Sequence, residues 1–186
     1  MNLCEWLTIE PSEERERLLE TLFECHREAA TNNENLSSVA IMQVASAGRG
    51  IESAIAGGLM TLGDIHGPVS QARVMIFTAD DEQLWASLEA GRILPGWGNA
   101  FFKGEMDPAI KPMAELISQE YPKIDNRLMR ITEIIAEVKG KRIFANAAAY
   151  TAVTADLLEL PLGVEMVLAI AARLPTWTSQ YLEAQP

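Results

Sequence analysis

The chain has 186 residues, with 26 acidic and 15 basic side chains, two cysteines and two histidines, for a formal charge of −11 at pH 7. That length suits one compact domain, or one domain with a small lobe, and can bury a sizeable core. The charge excludes nucleic acid and an anionic membrane as main partners. Cys4 and Cys25 are too few for a disulfide framework or a structural zinc site, so no metal is expected. Met1–Glu10 lacks the basic start and apolar stretch of a signal peptide, and no uncharged run reaches the roughly 18 residues of a membrane span. A soluble, cytoplasmic protein is expected.

Apolar spacing is helical almost throughout. Pro11-Ser12 starts a helix whose stripe is Leu18, Leu19, Leu22, Phe23 and His26, with Glu13, Glu14 and Glu16 suiting the positive end of its dipole. After the polar break Thr31–Asn35, the stretch Leu36–Gly63 is rich in Ala, Ser and Gly, and Gly48-Arg49-Gly50 divides it into two helices. Ile41, Val44, Ile51, Ile55 and Leu59 require burial there, so packed helices are predicted rather than a linker. A helix over Val69–Thr78 and a short one over Glu82–Glu89 flank an acidic turn. Gly91–Pro108 reads as a long loop ordered by Trp97, Phe101 and Phe102; loops of that length are usually functional or disordered. Helices resume over Ala109–Glu120, with Pro112 in the first turn, then along Leu128–Val138, Arg142–Leu160 and Val164–Arg173. No stretch alternates over strand length, so an all-α fold is predicted.

The signatures of phosphate-binding loops, dinucleotide folds, zinc proteases and serine hydrolases are all missing. His26 continues an apolar stripe and is expected at the edge of the core. His66, in Gly63-Asp64-Ile65-His66-Gly67-Pro68, is either a residue at a helix C-terminus favoured by the dipole or a cleft-facing imidazole able to move a proton near neutral pH.

Three separated segments carry a resemblance. Asn35-Leu36-Ser37-Ser38 through Gly63-Asp64-Ile65-His66-Gly67 is similar to an HExNxST helix start followed by a GxxHGG turn. Pro95-Gly96-Trp97-Gly98-Asn99-Ala100-Phe101-Phe102-Lys103, then Asp107-Pro108, is similar to PGFGHRxYK…DPR. Asn146-Ala147-Ala148, followed by Ala172-Arg173-Leu174-Pro175-Thr176-Trp177, is similar to NVD and aRxPGWxAHxxE. Together, in this order, they resemble the citrate synthase and citryl-CoA lyase superfamily over roughly residues 31 to 183. The resemblance implies an all-α, citrate synthase-like fold with a truncated core and a small inserted helical lobe. Residues 1–70 and 141–186 would form the core and 71–140 the lobe with the glycine-rich loop, unless the whole is one compact domain. It also implies a homodimer packed through the small-residue helices 37–61.

Family chemistry removes a proton beside a thioester carbonyl while placed donors hold the developing charge. Carried over by position, the enol-stabilising histidine matches His66 and the carbonyl-polarising one falls on Asn99. The aspartate base falls on Ala148, a substrate-binding histidine near Asn32, and the arginine of DPR on Ala109. The C-terminal arginine matches Arg173. Gly96, Trp97, Gly98 and Lys103 match the cradle for coenzyme A; read alone, the same loop is a surface turn pinned by its aromatics. His66-Gly67-Pro68 replaces a glycine by proline and loses an N–H. A missing base forfeits about 10²–10⁴ in rate.

The leading expectation is therefore a citrate synthase-like protein that does not condense acetyl-CoA with oxaloacetate. It would serve as a dimeric scaffold or an acyl-CoA-binding remnant that requires no cofactor. One alternative is an active lyase or acyl-CoA transferase of citryl-CoA lyase type, with a base from Asp64, Asp156, Glu165 or a partner subunit. Another is a helical structural or interaction protein with a protein partner.

Overall fold

A computed structural model describes residues 3–31, 34–63 and 66–186. Its helices are α1 (Leu3–Trp6), α2 (Glu13–Ala30), α3 (Leu36–Ser46), α4 (Ile51–Met60), α5 (Val69–Thr78), α6 (Asp81–Glu89), α7 (Lys111–Glu120), α8 (Pro122–Lys139), α9 (Ala147–Leu157) and α10 (Glu165–Glu183), with a 3-10 turn at Pro108–Ile110. No strand occurs among the described residues, and one isolated bridge joins Trp97 to Ala145. The fold is all-α. None of the described helices is long and apolar enough to cross a membrane.

Local chemistry starts and stops these helices. Ser12 caps α2 by accepting from the Arg15 N–H, and Asn35 caps α3 by accepting from Ser38. Asp80 and Gln83 form a reciprocal capping box at α6. Gly140 ends α8 in the left-handed region at φ 65°.

Two expected boundaries move. Arg142–Leu160 contains a shorter helix, because the chain before α9 pairs with the glycine loop. Gly98 N donates to Phe144 O and Asn146 N to Gly96 O, at 3.0 and 2.8 Å. The last helix does not stop at Arg173 but runs through Pro175 to Glu183. Packing outweighs the proline there: Leu168 and Ala169 enter the main core before it, while Trp177 and Tyr181 enter a second cluster after it.

That second cluster joins α10 to Ile41 and Ala45 of α3 and Ala54 of α4. The main core gathers Leu18, Leu19 and Leu22 of α2, Ile131 and Ile134 of α8, and Ala152 and Val153 of α9. Residues 71–140 thus place their apolar faces in the same buried cluster as α2 and α9. His26 is a correction: it is 1% exposed, not at the edge, because α9 and α10 both pack on α2 and close over it.

Candidate functional site

The open ends of several helices converge on a cleft of about 710 Å³. One wall comes from the end of α2, the start of α3 and His66–Pro68; the other from the loop 93–102. Asp107–Ala109, the start of α9 and Arg173 of α10 complete it. The loop side of the lining is apolar, with Leu94, Pro95 and Phe101 among its residues.

Arg173 is the dominant electrostatic feature. Its Nε donates to His26 Nδ1 at 3.3 Å, and no carboxylate pairs with it among the described residues. Burial pulls its pKa down to about 10, so it remains a cation at neutral pH. A desolvated cation without a counter-ion is costly, and an incoming anion relieves that cost. His66 adds a second unsatisfied group, since its Nε2 is buried without a hydrogen-bond partner among the described residues. Burial first, and the Arg173 charge second, hold the His66 ring below its ordinary pKa. It is therefore neutral at pH 7. His66 is not at a helix end: α4 stops at Met60 with Thr61 as its cap, and His66 follows in the loop that walls the cleft.

The start of α9 adds a cap. Asn146 Oδ1 accepts from the Ala148 N–H at 2.9 Å, and Asn146 Nδ2 donates to Gly98 O at 2.7 Å. Ala148 itself lines the cleft with a methyl group and offers no titratable atom. Asn99 is held within its own loop: Nδ2 donates to Asp107 Oδ2 at 3.0 Å and Oδ1 accepts from Phe101 N at 2.9 Å. Asp107 also caps the 3-10 turn by accepting from Ala109 N.

The loop residues matched to a coenzyme A cradle are built differently from the floor. Gly96 is buried at φ +85°, and a Cβ there would lie 3.0 Å from the Cβ atoms of both Ala72 and Ala149. It lets the loop backbone lie against α5 and α9. Trp97 is 5% exposed and donates Nε1–H to Thr132 Oγ1 at 3.1 Å, so its ring anchors the loop into the core. Lys103 is exposed and lies outside the cleft lining. The structure thus brings His66, Asn99, Ala148, Arg173, Gly96, Trp97 and Gly98 to one cleft and leaves Lys103 out of it. Asn32 and Asp64 lie outside the described residues.

The other candidate bases are elsewhere. Asp156 and the fully buried Glu165 both pair with Arg73, at 3.2 and 3.6 Å, and neither lines the cleft. Two participants escaped the sequence reading. Asp107 had a local signal, an acidic residue before Pro108 in a capping pattern. The contact of His26 with Thr151, 125 residues apart in the chain, had none. Among the described residues no group of His, Cys, Asp and Glu could hold a metal ion.

An all-α fold with a cleft between helix ends, walled by a glycine loop, defines the class. The model of the citrate synthase C-terminal domain matches residues 1–185, and the chain belongs to that family. Citrate synthase from Thermotoga maritima superposes with a TM-score of 0.80 at 26% identity, over 94% of this chain and 50% of that one. Citryl-CoA lyase from Hydrogenobacter thermophilus gives 0.78 at 21% identity, over 94% of this chain and 70% of that one. ATP citrate lyase from Methanothrix soehngenii, in complex with citrate and coenzyme A, gives 0.76 at 15% identity over 96% and 32%. The chain thus spans 70% of the Hydrogenobacter lyase but half or less of the other two. A sequence comparison with curated proteins finds no match.

Proposed function

We propose that the chain binds a carboxylate-bearing ligand, either a free polycarboxylate or a coenzyme A thioester whose acyl group carries a carboxylate, and does not condense acetyl-CoA with oxaloacetate. The observation that carries this is that a part-buried Arg173 with no counter-ion among the described residues shares one cleft with a His66 whose buried Nε2 has no partner among them. Ala148 supports the second half. It presents a methyl group where the resemblance calls for the base. The ATP citrate lyase structure holds citrate and coenzyme A, which makes both ligand classes reasonable choices. Among the described residues Arg173 is the one lysine or arginine lining the cleft, and the exposed Lys103 lies outside that lining, so the acyl end is gripped more firmly than the nucleotide.

A homodimer through α3 and α4, and a reducing cytoplasmic setting that keeps Cys4 and Cys25 as free thiols, complete the proposal.

The test is thermal unfolding with citrate, oxaloacetate, acetyl-CoA and coenzyme A, for the wild type and Arg173→Met. A ligand at 100 times its dissociation constant stabilises by about 2.7 kcal/mol. Citrate is expected to raise the melting temperature of the wild type and leave Arg173→Met unmoved, with the variant's own stability within about 1 kcal/mol of wild type because relief of the desolvated charge offsets the hydrogen bond lost to His26. Equal shifts in both proteins sink the site assignment. Citrate formation from acetyl-CoA and oxaloacetate by the wild type sinks the non-condensing half.

A further inference from the structure

Behind Arg173, away from the ligand side of the cleft, lies a buried polar chain that the proposed function does not use. His26 on α2 is 1% exposed, yet both ring nitrogens are engaged. Nδ1 faces the Nε–H of Arg173 at 3.3 Å, and Nε2 lies 2.6 Å from Thr151 Oγ1 on α9. Thr151 in turn donates its hydroxyl proton to Ala147 O at 2.7 Å.

The donor and acceptor roles follow from these contacts. A guanidinium only donates, so Nδ1 must accept. The Thr151 proton is already committed to Ala147 O, so Thr151 Oγ1 must accept and Nε2 must carry the hydrogen. Both ends select the same neutral tautomer. The chain runs Arg173 Nε–H to His26, His26 Nε2–H to Thr151, and Thr151 O–H to the first turn of α9. It ties the arginine of α10 to the helix whose start forms the floor. The terminal guanidinium nitrogens have no protein partner among the described residues, and Arg173 lines the cleft.

We propose that His26 and Thr151 are positioning residues: they hold Arg173 by its Nε–H and leave its terminal N–H groups to meet a carboxylate, so that His26 sets ligand affinity without touching the ligand. The affinity half of this rests on the function proposed above; the relay does not.

Two measurements test it on the full chain. The first is the imidazole tautomer by nitrogen NMR at pH 7, simple to read with two histidines in the sequence and assigned with His66→Gln. His26 is expected as the Nε2–H form, reverting to a mixture in Thr151→Val. An Nδ1–H ring, or one unaffected by Thr151→Val, overturns the relay. The second is the citrate dissociation constant of three variants. Asparagine keeps an amide oxygen where Nδ1 lies, so His26→Asn should stay near wild type. His26→Leu and Thr151→Val should each weaken binding about tenfold, as expected when a charge-assisted contact loses its geometry. Thr151→Val retains shape and serves if His26→Leu does not fold. Unchanged affinity in Thr151→Val overturns the proposal. If the wild type binds no citrate, the proposed function fails, and the ring tautomer still decides the relay.

Discussion

The glycine loop and the floor of the cleft confront each other across the same space, but they use their polar groups in opposite ways. In the loop, Gly96 O and Gly98 O accept from Asn146, Gly98 N donates to Phe144 O, and the Asn99 amide bonds Asp107 and Phe101. Its indole is inside the core. Across from the loop, among the described residues, Arg173 has no counter-ion and the buried Nε2 of His66 has no partner. A segment whose groups are satisfied internally is a structural clamp; unsatisfied buried groups mark where a ligand supplies the missing partner. Two segments with equal motif-level claims to binding therefore differ in what they do.

The most severe challenge to this contrast is Gly96→Ala. A methyl group at φ +85° meets Ala72 and Ala149 at 3.0 Å, combining a left-handed backbone penalty with overpacking. The expected loss is about 2–4 kcal/mol in urea unfolding. A near-neutral result would mean that the loop is not clamped and that Gly96 is reserved for ligand approach.

A smaller effect reads the floor through pH. His26 is held well below its ordinary pKa, by burial first and by the charge of Arg173 second; Arg173 is the charged group that faces it among the described residues. In the unfolded chain the ring titrates near about 6.5. Between that pH and the lower folded value, the unfolded state holds the extra proton. Stability is therefore full above the unfolded value and falls as pH drops, by at most about 1.4 kcal/mol per pH unit for this group. Unfolding of wild type and His26→Asn from pH 7 to 5 isolates it. Parallel curves would show that His26 is not a buried neutral ring.

The smallest expected effect sharpens the same contrast. Lys103→Ala should alter stability by less than about 0.5 kcal/mol, as for an exposed surface residue, and respond to coenzyme A as the wild type does. A lost shift would restore the loop as a coenzyme A cradle.

Much of the molecule was legible in the sequence because its signals are local. Period-3.6 apolar spacing, the helix start at Pro11-Ser12 and breaks such as Gly48-Arg49-Gly50 depend on neighbours a few residues away, and they marked most of the helices and the all-α class, though not α1. The motif order over residues 31–183 pointed to the family that the domain match establishes. What failed was non-local. Pro175 reads as a stop, yet Trp177 and Tyr181 pack against α3 and α4 and carry the helix onward. The stretch before α9 reads as helix, yet Gly96 and Gly98 draw it into extended pairing. His26 reads as an edge residue, yet α9 and α10 bury it.

The sequence by itself determined the helical class, which faces are apolar and which residues could take part in a site. Only the tertiary structure decided which of those residues are free to act. Whether Arg173 has a counter-ion, whether Trp97 faces ligand or core, and which nitrogen of His26 holds its proton all depend on groups brought together from distant parts of the chain. Periodicity and capping record no such information, because they register a residue's neighbours along the chain and not its partners across the core.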